Sequence, residues 1–165
     1  MDELDSKILR ELSKDGRVPV KVLAERLGVP RTTVALRMRK LVDSGVVKGF
    51  YAEIDYKKLN YTITSFVLIQ VRRGRPIEGK SNQEVLAENL VKELSKRDGL
   101  PWIEEAHIVT GDFDLLLKVR ARSMEELTKF LITELAKYPD VERTHTMIVL
   151  ETPHEGRIPP EKLKV

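Results

Sequence analysis

The sequence predicts an α+β protein in which an N-terminal winged helix-turn-helix precedes a ferredoxin-like β-α-β-β-α-β domain. Three short helical patterns, the last two joined by a glycine-containing turn, predict the first part. Four strand patterns interleaved with two longer helical patterns predict the second part. We therefore expect a winged helix-turn-helix domain over 1–55, a linker over 56–63, a ferredoxin-like domain over 64–152 and a C-terminal tail over 153–165.

The first third contains the three predicted helices. The first runs from Glu3 to Ser13, with Asp2 placed to cap it, and the second runs from about Pro19 to Leu27. Gly28 then breaks the pattern, and the third helix lies within the run "VPRTTVALRMRKLVDSG", which ends in a Ser-Gly stop signal. The following segment, Val46 to Asp55, is rich in β-branched and aromatic residues and predicts a strand or small hairpin that forms the wing.

The rest of the chain alternates strands and helices. We predict strands over 64–72, 102–110, 114–121 and 141–151, the first of them buried on both faces, and helices over 82–97 and 124–138. A capping box opens each helix, Ser81-x-x-Glu84 in the first and Ser123-x-x-Glu126 in the second. Because the two boxes fall at equivalent points of the two halves, they support a repeated architecture.

Composition narrows the class of protein. At 165 residues with 41% hydrophobic and 33% charged residues, the chain has the balance of a soluble globular protein. It contains no apolar run of about 18 residues, and its first residues do not resemble a signal peptide. The absence of cysteine excludes disulfides and thiolate metal sites. We therefore expect a cytoplasmic protein without a membrane partner.

The positive charge is concentrated in the first third. Residues 1–60 contain 13 lysines and arginines against 9 acidic residues, a net charge of +4, whereas the remainder carries −1. A polyanion would therefore be held by the first third.

The third helix has a polar, cationic face. Val34, Met38, Leu41 and Val42 form the predicted buried stripe. Thr32, Leu36 and Arg39 lie opposite that stripe, Thr33 and Lys40 lie to one side, and Arg37 lies on the flank.

Such a helix fits the major groove of double-stranded DNA, where cations neutralise phosphates and residues near the N-terminus reach base edges. The simpler alternative is an ordinary solvated surface, but the preceding helix, the glycine turn and the wing favour DNA contact. Two residues have an alternative to a DNA-contacting role. Leu36 could pack on a neighbouring helix, and Arg37 could brace the helix against its own domain.

A second motif is the turn "TGDFD" between the two central strands. From the residues alone, it is either a plain hairpin turn or a ligand site. Gly111 would let a ligand approach backbone N–H groups, which suit a carboxylate, and a nearby aspartate suits an ammonium group. A zwitterionic amino acid would then be matched at both ends.

No pattern predicts a catalytic or metal site. Asp112 and Asp114 have no third ligand nearby, and His107, His145 and His154 lack ligand spacing. There is no glycine-rich phosphate loop, cysteine nucleophile or serine elbow. We expect no enzyme activity, no metal and no cofactor.

Three segments, "LDSKILRELSKDGRVPVKVLAERLGV", "TTVALRMRKLVDSGVVKGFYAEID" and "TGDFDLLLKVRA", together resemble the Lrp/AsnC family of bacterial and archaeal transcription regulators. The resemblance implies a winged helix-turn-helix, a linker and the ligand-binding fold called RAM. It places the DNA-contacting helix on Arg31 to Asp43. With the helical-wheel analysis, the candidate DNA-binding residues are Arg31, Thr32, Thr33, Leu36, Arg37, Arg39 and Lys40.

The resemblance also implies that the turn lines an effector pocket between subunits and that the effector is a small amino acid. The candidate effector-binding residues are Thr110, Gly111, Asp112, Asp114, Thr144 and Thr146, the last two contributed by an adjacent subunit. We therefore expect a homodimer, or a higher homo-oligomer, that binds double-stranded DNA and responds to an amino acid.

The chain departs from the family pattern at three places. Pro30 stands where the family usually has a capping serine, an omission that costs about 1 kcal/mol. Asn60 replaces a glycine of the linker and tolerates left-handed geometry. The segments "RRGRPIEGKSNQ" and "KRDGLPW" lengthen the connections around the first helix of the second domain, and alter assembly or form only a basic surface loop.

Two rival functions stay open at this point. One is an architectural DNA-compacting protein without an effector. The other is an enzyme or metabolite carrier that uses the ferredoxin-like half.

Overall fold

The computed structural model describes residues 1–74, 79–94, 96–155, 162 and 163. The chain forms two compact units, one comprising Met1–Ile54 and the described part of the tail, the other Asp55–Thr152. Part of the predicted tail and the centre of the first basic insertion lie outside the described residues. Each unit has its own hydrophobic core.

Three helices build the first unit, as predicted: α1 (Glu3–Lys14), α2 (Val20–Leu27) and α3 (Arg31–Asp43). Asp2 caps α1 in a reciprocal capping box with Asp5. Gly28 ends α2 in the left-handed conformation at φ 66°, where a residue without Cβ is favoured.

The first core is formed by residues from all three helices. Ile8, Leu23 and Val34 are fully buried, and Leu41 is buried beside them. Val42, which the wheel placed in the buried stripe, is 44% exposed, and that part of the prediction is wrong. The stripe is narrower than the wheel implied because α3 packs through Val34 and Leu41 on a small three-helix unit.

No described residue of the segment Val46–Asp55 takes part in a β-ladder, so the predicted strand or hairpin is absent from the structure. The Val47 N–H donates to the Leu41 carbonyl at 3.0 Å, and the Val47 side chain packs against the helical core. Strand propensity without a partner strand does not hold a sheet, since even an isolated two-stranded hairpin is marginal.

The first residues of the second unit form a short linker structure. Tyr56–Leu59 form a 3₁₀ turn, and Asn60 follows in the left-handed conformation at φ 67°. Asparagine therefore adopts the geometry expected where the family pattern has glycine.

The second unit is a four-stranded antiparallel sheet in the order β2-β3-β1-β4, as a ferredoxin-like fold requires. Its strands are β1 (Ile63–Val71), β2 (Trp102–Ile108), β3 (Leu115–Ala121) and β4 (Val141–Ile148). The helices are α4 (Asn82–Leu94) and α5 (Met124–Thr128), which continues as a π-helical segment over Lys129–Glu134 and a 3₁₀ turn over Leu135–Lys137.

The central strand β1 is buried on one face only, so the prediction of burial on both faces is wrong. Ser65, Val67, Ile69 and Val71 are buried, whereas the residues that alternate with them are half-buried. The core of this unit, with Phe130 and Leu117 fully buried, lies on the first of these faces. Within a single chain, this uninterrupted apolar run therefore has only one covering layer.

The two capping boxes differ in detail. In the first, Glu84 accepts from the Ser81 backbone N–H at 2.7 Å and the Ser81 hydroxyl accepts from the Glu84 N–H at 3.3 Å. In the second, the Ser123 hydroxyl accepts from the Glu126 N–H at 3.2 Å, but the Glu126 carboxylate accepts from the Arg122 N–H instead. The N-terminus of each helix is nevertheless satisfied by a serine, as predicted.

Candidate nucleic-acid interface and effector pocket

The solvent-facing side of α3 carries most of the candidate DNA-binding residues. Arg31, Thr32, Leu36, Arg39 and Lys40 are exposed, and Thr33 is half-buried. Leu36 has 56% of its surface exposed, so within its unit it does not pack on a neighbouring helix. An exposed leucine among cations and threonines is better suited to an apolar contact with a partner, such as a thymine methyl group, than to exposure to water.

Arg39 and Lys40 are available cations. The Arg39 side chain is 81% exposed, and its Nε lies 3.9 Å from the Asp43 carboxylate, a distance that gives a weak surface pair. Over the described chain, no ion pair involves Lys40. Both side chains can therefore turn to a phosphate at little cost.

Arg37 has a different environment from Arg39. Its guanidinium lies 2.7 Å from the Asp2 carboxylate and 3.4 Å from that of Asp5, which is buried at the start of α1. The Asp5 backbone N–H lowers the pKa of the Asp2 carboxyl, and Arg37 adds to this effect. The structure therefore favours the alternative in which Arg37 braces α3 against α1.

The N-terminus of α3 has no side-chain cap, as the proline at its N-cap predicts. Pro30 is in an extended conformation and provides only its carbonyl, which accepts from the Thr33 and Val34 N–H groups. The first turn of α3 also contains no acidic residue. The positive end of the helix dipole is therefore left for an external anion.

The "TGDFD" turn lies at one end of the sheet. Gly111 has φ 121°, a conformation that favours glycine, and Thr110, Gly111 and Asp112 are exposed. Beside the turn is a pocket of about 390 Å³. Its lining residues are Gln70, Val71, Arg72, Arg73, Gly111, Asp112, Asp114 and Glu142.

Asp114 holds the backbone at this end of the sheet. Its carboxylate accepts from the Val71 N–H at 2.8 Å and from the Gln83 amide at 3.4 Å. Asp112 makes no such contact among the described residues and is exposed. Of the two aspartates, Asp112 is therefore the one with a carboxylate free to meet a ligand.

The remaining predicted effector residues do not join this pocket within one chain. Thr144 and Thr146 lie on β4 opposite Ile69 and Val67, and neither they nor Thr110 line the pocket. Thr144 is exposed and Thr146 half-buried.

Sequence reasoning did not single out Arg72, Arg73 and Glu142 as lining residues. The guanidinium of Arg72 lies 3.4 Å from the Glu142 carboxylate. The sequence signal that could have found the two arginines is the basic start of the first insertion, which directly follows β1. Glu142 comes near them because β4 pairs with β1 in antiparallel fashion.

Among the residues that the structure describes, no group of three or more histidines and acids could hold a metal ion. Within the same ranges, no helix has the length and hydropathy to cross a membrane.

Family comparisons agree with this architecture. Residues 64–159 match the family model of the Lrp/AsnC ligand binding domain, and residues 1–48 match that of a winged helix-turn-helix DNA-binding domain. The first match alone covers more than half of the chain. The chain belongs to the Lrp/AsnC family.

Curated relatives and a solved structure match this Lrp/AsnC protein over almost its whole length. The HTH-type transcriptional regulator FL11 of Pyrococcus horikoshii is 39% identical over 94% of this chain and 93% of its own length. The regulatory protein AsnC of Haemophilus influenzae is 31% identical over 93% of each. The structure of E. coli AsnC has a TM-score of 0.78 at 26% identity, covering 97% of this chain and 99% of its own.

These matches make the Lrp/AsnC protein described here a transcriptional regulator with a DNA-binding helix-turn-helix and a ligand-binding domain.

Proposed function

We propose that this Lrp/AsnC protein is a sequence-specific DNA-binding regulator whose helix α3 enters the major groove. It responds to a small amino acid bound at the Gly111–Asp112 turn, between subunits of a homo-oligomer. The observation that carries the proposal is the exposed face of α3, where cations and threonines are available to solvent and no acid precedes Asp43.

Arg31, Arg39 and Lys40 supply the electrostatic part of the DNA contact. All three are exposed, and the cap-free N-terminus of α3 adds its dipole to their field. Thr32, Thr33 and Leu36 lie nearer that N-terminus, the part of a recognition helix that reaches base edges. We leave Arg37 out of the contacting set because its charge is neutralised by Asp2 and Asp5.

The first experiment measures DNA affinity as a function of salt concentration. Removing one phosphate-binding cation should reduce the magnitude of the slope of log K against log salt by about 0.9. The Arg39→Ala/Lys40→Ala variant should therefore bind DNA more weakly, and the magnitude of its slope should fall by about 1.8.

The controls separate this face from others. Lys129→Ala, which removes an exposed cation of the second unit, should leave both affinity and slope unchanged. Arg37→Ala should lower the melting temperature while leaving the slope nearly unchanged. Undiminished DNA binding by the double variant would refute the proposed face, and a footprint spread evenly over unrelated DNA would favour the architectural function.

The pocket beside the turn supports an amino-acid ligand because it holds charges of both signs. Asp112 suits an ammonium group, while Arg73 and the exposed backbone at Gly111 suit a carboxylate. One solved relative in the same fold, the regulator NMB0573 of Neisseria meningitidis, is described as a complex with L-Met and has a TM-score of 0.77 at 21% identity.

The sheet supports pairing with a second copy. By the strand register, Phe66, Leu68, Leu116 and Met147 share the face opposite the buried core. The first three are half-buried, and Met147 is 44% exposed. Within the described chain, β2 and β4 are edge strands with free backbone groups. A second subunit that covers this face would bury these four side chains. Thr144 and Thr146 lie on the other face of the edge strand β4, opposite Ile69 and Val67, so a ligand would reach them only if the subunits also meet at that edge.

The second experiment uses calorimetric titration with each of the standard amino acids. Asp112→Ala should abolish the heat of binding and leave the melting temperature unchanged, because the Asp112 carboxylate holds no other described group. Asp114→Asn should instead destabilise the fold by about 1–2 kcal/mol, because the Val71 N–H loses a charged acceptor. Binding that persists in Asp112→Ala would move the site elsewhere.

A further inference from the structure

A second pocket lies at the opposite end of the sheet from the Gly111–Asp112 turn. It encloses about 210 Å³ and is formed by the segment from Lys96 to Trp102, by Tyr61 and by Arg122. Strand register places Trp102 beside Arg120, and Ile108 beside Leu115 at the other end. At about 3.3 Å per residue, the two pockets are separated by roughly 20 Å.

The chain segment that builds most of this pocket is "KRDGLPW", which the sequence analysis predicts to lengthen the connection after α4. It connects α4 to β2, and Gly99 turns it at φ 73°, a left-handed conformation. Leu100 and Pro101 are buried and anchor the segment, so the insertion is a built part of the unit. The pocket therefore rests on a segment with buried anchor residues.

Cations outnumber acids in the lining. Lys96, Arg97 and Arg122 face one carboxylate, that of Asp98. Within the described residues, no ion pair involves Lys96 or Arg122. Arg97 is held by the buried Glu134 at 2.6 Å, but Lys137 binds the same carboxylate at 2.8 Å, so this cluster keeps a positive charge.

The guanidinium of Arg122 is positioned before any ligand arrives. It lies over the Tyr61 ring at 4.7 Å, and its Nη2 donates to the Tyr61 hydroxyl at 3.2 Å. Tyr61 in turn packs edge-on against Trp102, with ring centroids 6.2 Å apart. A fixed guanidinium beside aromatic rings binds a carboxylate or phosphate with little loss of side-chain freedom.

Stabilisation of a helix C-terminus explains only part of this cluster. The backbone N–H groups of Lys96 and Arg97 cap the Glu93 and Leu94 carbonyls at the end of α4, and their charges complement its dipole. Arg122 comes from the β3–α5 connection and has no part in that role. The convergence of Arg122, Trp102 and Lys96 on one cavity points to a ligand.

We propose that this pocket binds a small organic anion, with its carboxylate or phosphate on Arg122 and Lys96 and its apolar body against Trp102 and Tyr61. The cavity is smaller than those that hold drug-sized ligands, which fits a compact molecule. This site is separate from the amino-acid pocket of the proposed function and holds whether or not that function is correct.

Trp102 gives the experiment a local signal because it is the only tryptophan in the chain. Its fluorescence is recorded while the full-length protein is titrated with benzoate, phenyl phosphate or inorganic phosphate, at constant ionic strength. Benzamide serves as the uncharged control. We expect saturable changes with benzoate or phenyl phosphate and none with benzamide, and the stronger of the two identifies the preferred anion.

Variants then locate the binding site. Arg122→Gln and Lys96→Gln should each weaken binding by about tenfold or more, as removal of a charge-assisted hydrogen bond predicts. Lys129→Gln and Asp112→Asn should leave affinity unchanged, which distinguishes this site from the amino-acid pocket. Because Lys96 is exposed, Lys96→Gln keeps the test open if Arg122→Gln does not fold. No saturable change with any anion, or binding that both pocket variants retain, would overturn the proposal.

Discussion

At the scale of single residues, Arg37 and Arg39 lie two positions apart on α3 and have opposite environments. Arg37 pairs with Asp2 and Asp5, whereas Arg39 extends into solvent. Asp112 and Asp114 show the same contrast, since only Asp114 holds a backbone N–H. The two members of each pair have the same residue type and lie two positions apart. Whether a side-chain charge is available to a ligand therefore depends on the partner groups that neighbouring elements place beside it.

Glu134 is the main buried acid of the second unit, with 3% of its surface exposed. Its carboxylate binds Lys137 at 2.8 Å and Arg97 at 2.6 Å. The Lys137 contact, with Arg97 adding to it, lowers the pKa of the Glu134 carboxyl below its usual 4.5 despite burial. The pair of cations therefore ties α5 to the segment that follows α4.

The lowered pKa of Glu134 predicts a dependence of stability on pH. The contribution is fully present above pH 4.5 and disappears as the pH falls through the lower pKa of the folded state. Glu134→Gln should reduce the free energy of unfolding by about 1 kcal/mol at pH 7, since Arg97 and Lys137 are half-exposed.

The measurement is chemical denaturation at pH 7 and at pH 3. The variant and the parent protein should differ at pH 7, and the difference should be smaller at pH 3. A constant difference at both pH values would show that the carboxylate charge is not what stabilises this contact.

At the scale of elements, helices followed their local signals more closely than strands did. α1 and α4 begin next to the residues that the caps indicated, and α2 and α3 end at glycine or serine as predicted. The segment over Val46–Asp55 had strand propensity but has no strand, because a ladder needs a partner. A helix satisfies its own backbone, whereas a strand depends on a distant segment.

The cap of α5 gives a test at this scale. Ser123→Ala removes the acceptor of the Glu126 N–H and should lower the free energy of unfolding of the second unit by about 1 kcal/mol. Thr133→Ala, an exposed site later in the same helical segment, should change it by less than about 0.5 kcal/mol. Urea denaturation followed by circular dichroism measures both, and equal effects of the two substitutions would contradict the capping role.

At the scale of the whole molecule, the chain has two hydrophobic cores. The first is centred on Ile8, Leu23 and Val34, and the second on Leu117 and Phe130. Each core is closed within its own unit, so each unit carries the packing interactions that a cooperative unfolding transition needs.

We therefore predict separable unfolding of the two units. Leu23→Ala and Leu117→Ala each remove a fully buried side chain and should destabilise their own unit by about 2–5 kcal/mol. Differential scanning calorimetry should show one transition lowered by at least about 10 °C with the other unmoved, a different one for each variant. A single transition that both substitutions lower equally would mean that the chain unfolds as one unit.

The candidate sites were predictable to different degrees. The DNA-facing side of α3 lies within one helix, so a helical wheel locates Arg39, Lys40 and Leu36. It misplaced Val42, because the width of the buried stripe depends on the neighbouring helices. The pockets combine distant segments: Arg72 and Glu142 meet through strand pairing, and Arg122 meets Trp102 through the sheet and the insertion. No local pattern specifies those pairings.

The sequence by itself determined the order of helices and strands, the serine and aspartate caps and the cationic face of α3. Each of these depends on residues only a few positions apart, where backbone geometry fixes which side chains meet. Tertiary structure alone decided that Arg37 braces α1, that Asp114 supports β1 and that Val46–Asp55 forms no strand. Those outcomes depend on contacts between residues far apart in the chain, whose partners are chosen by packing the whole unit.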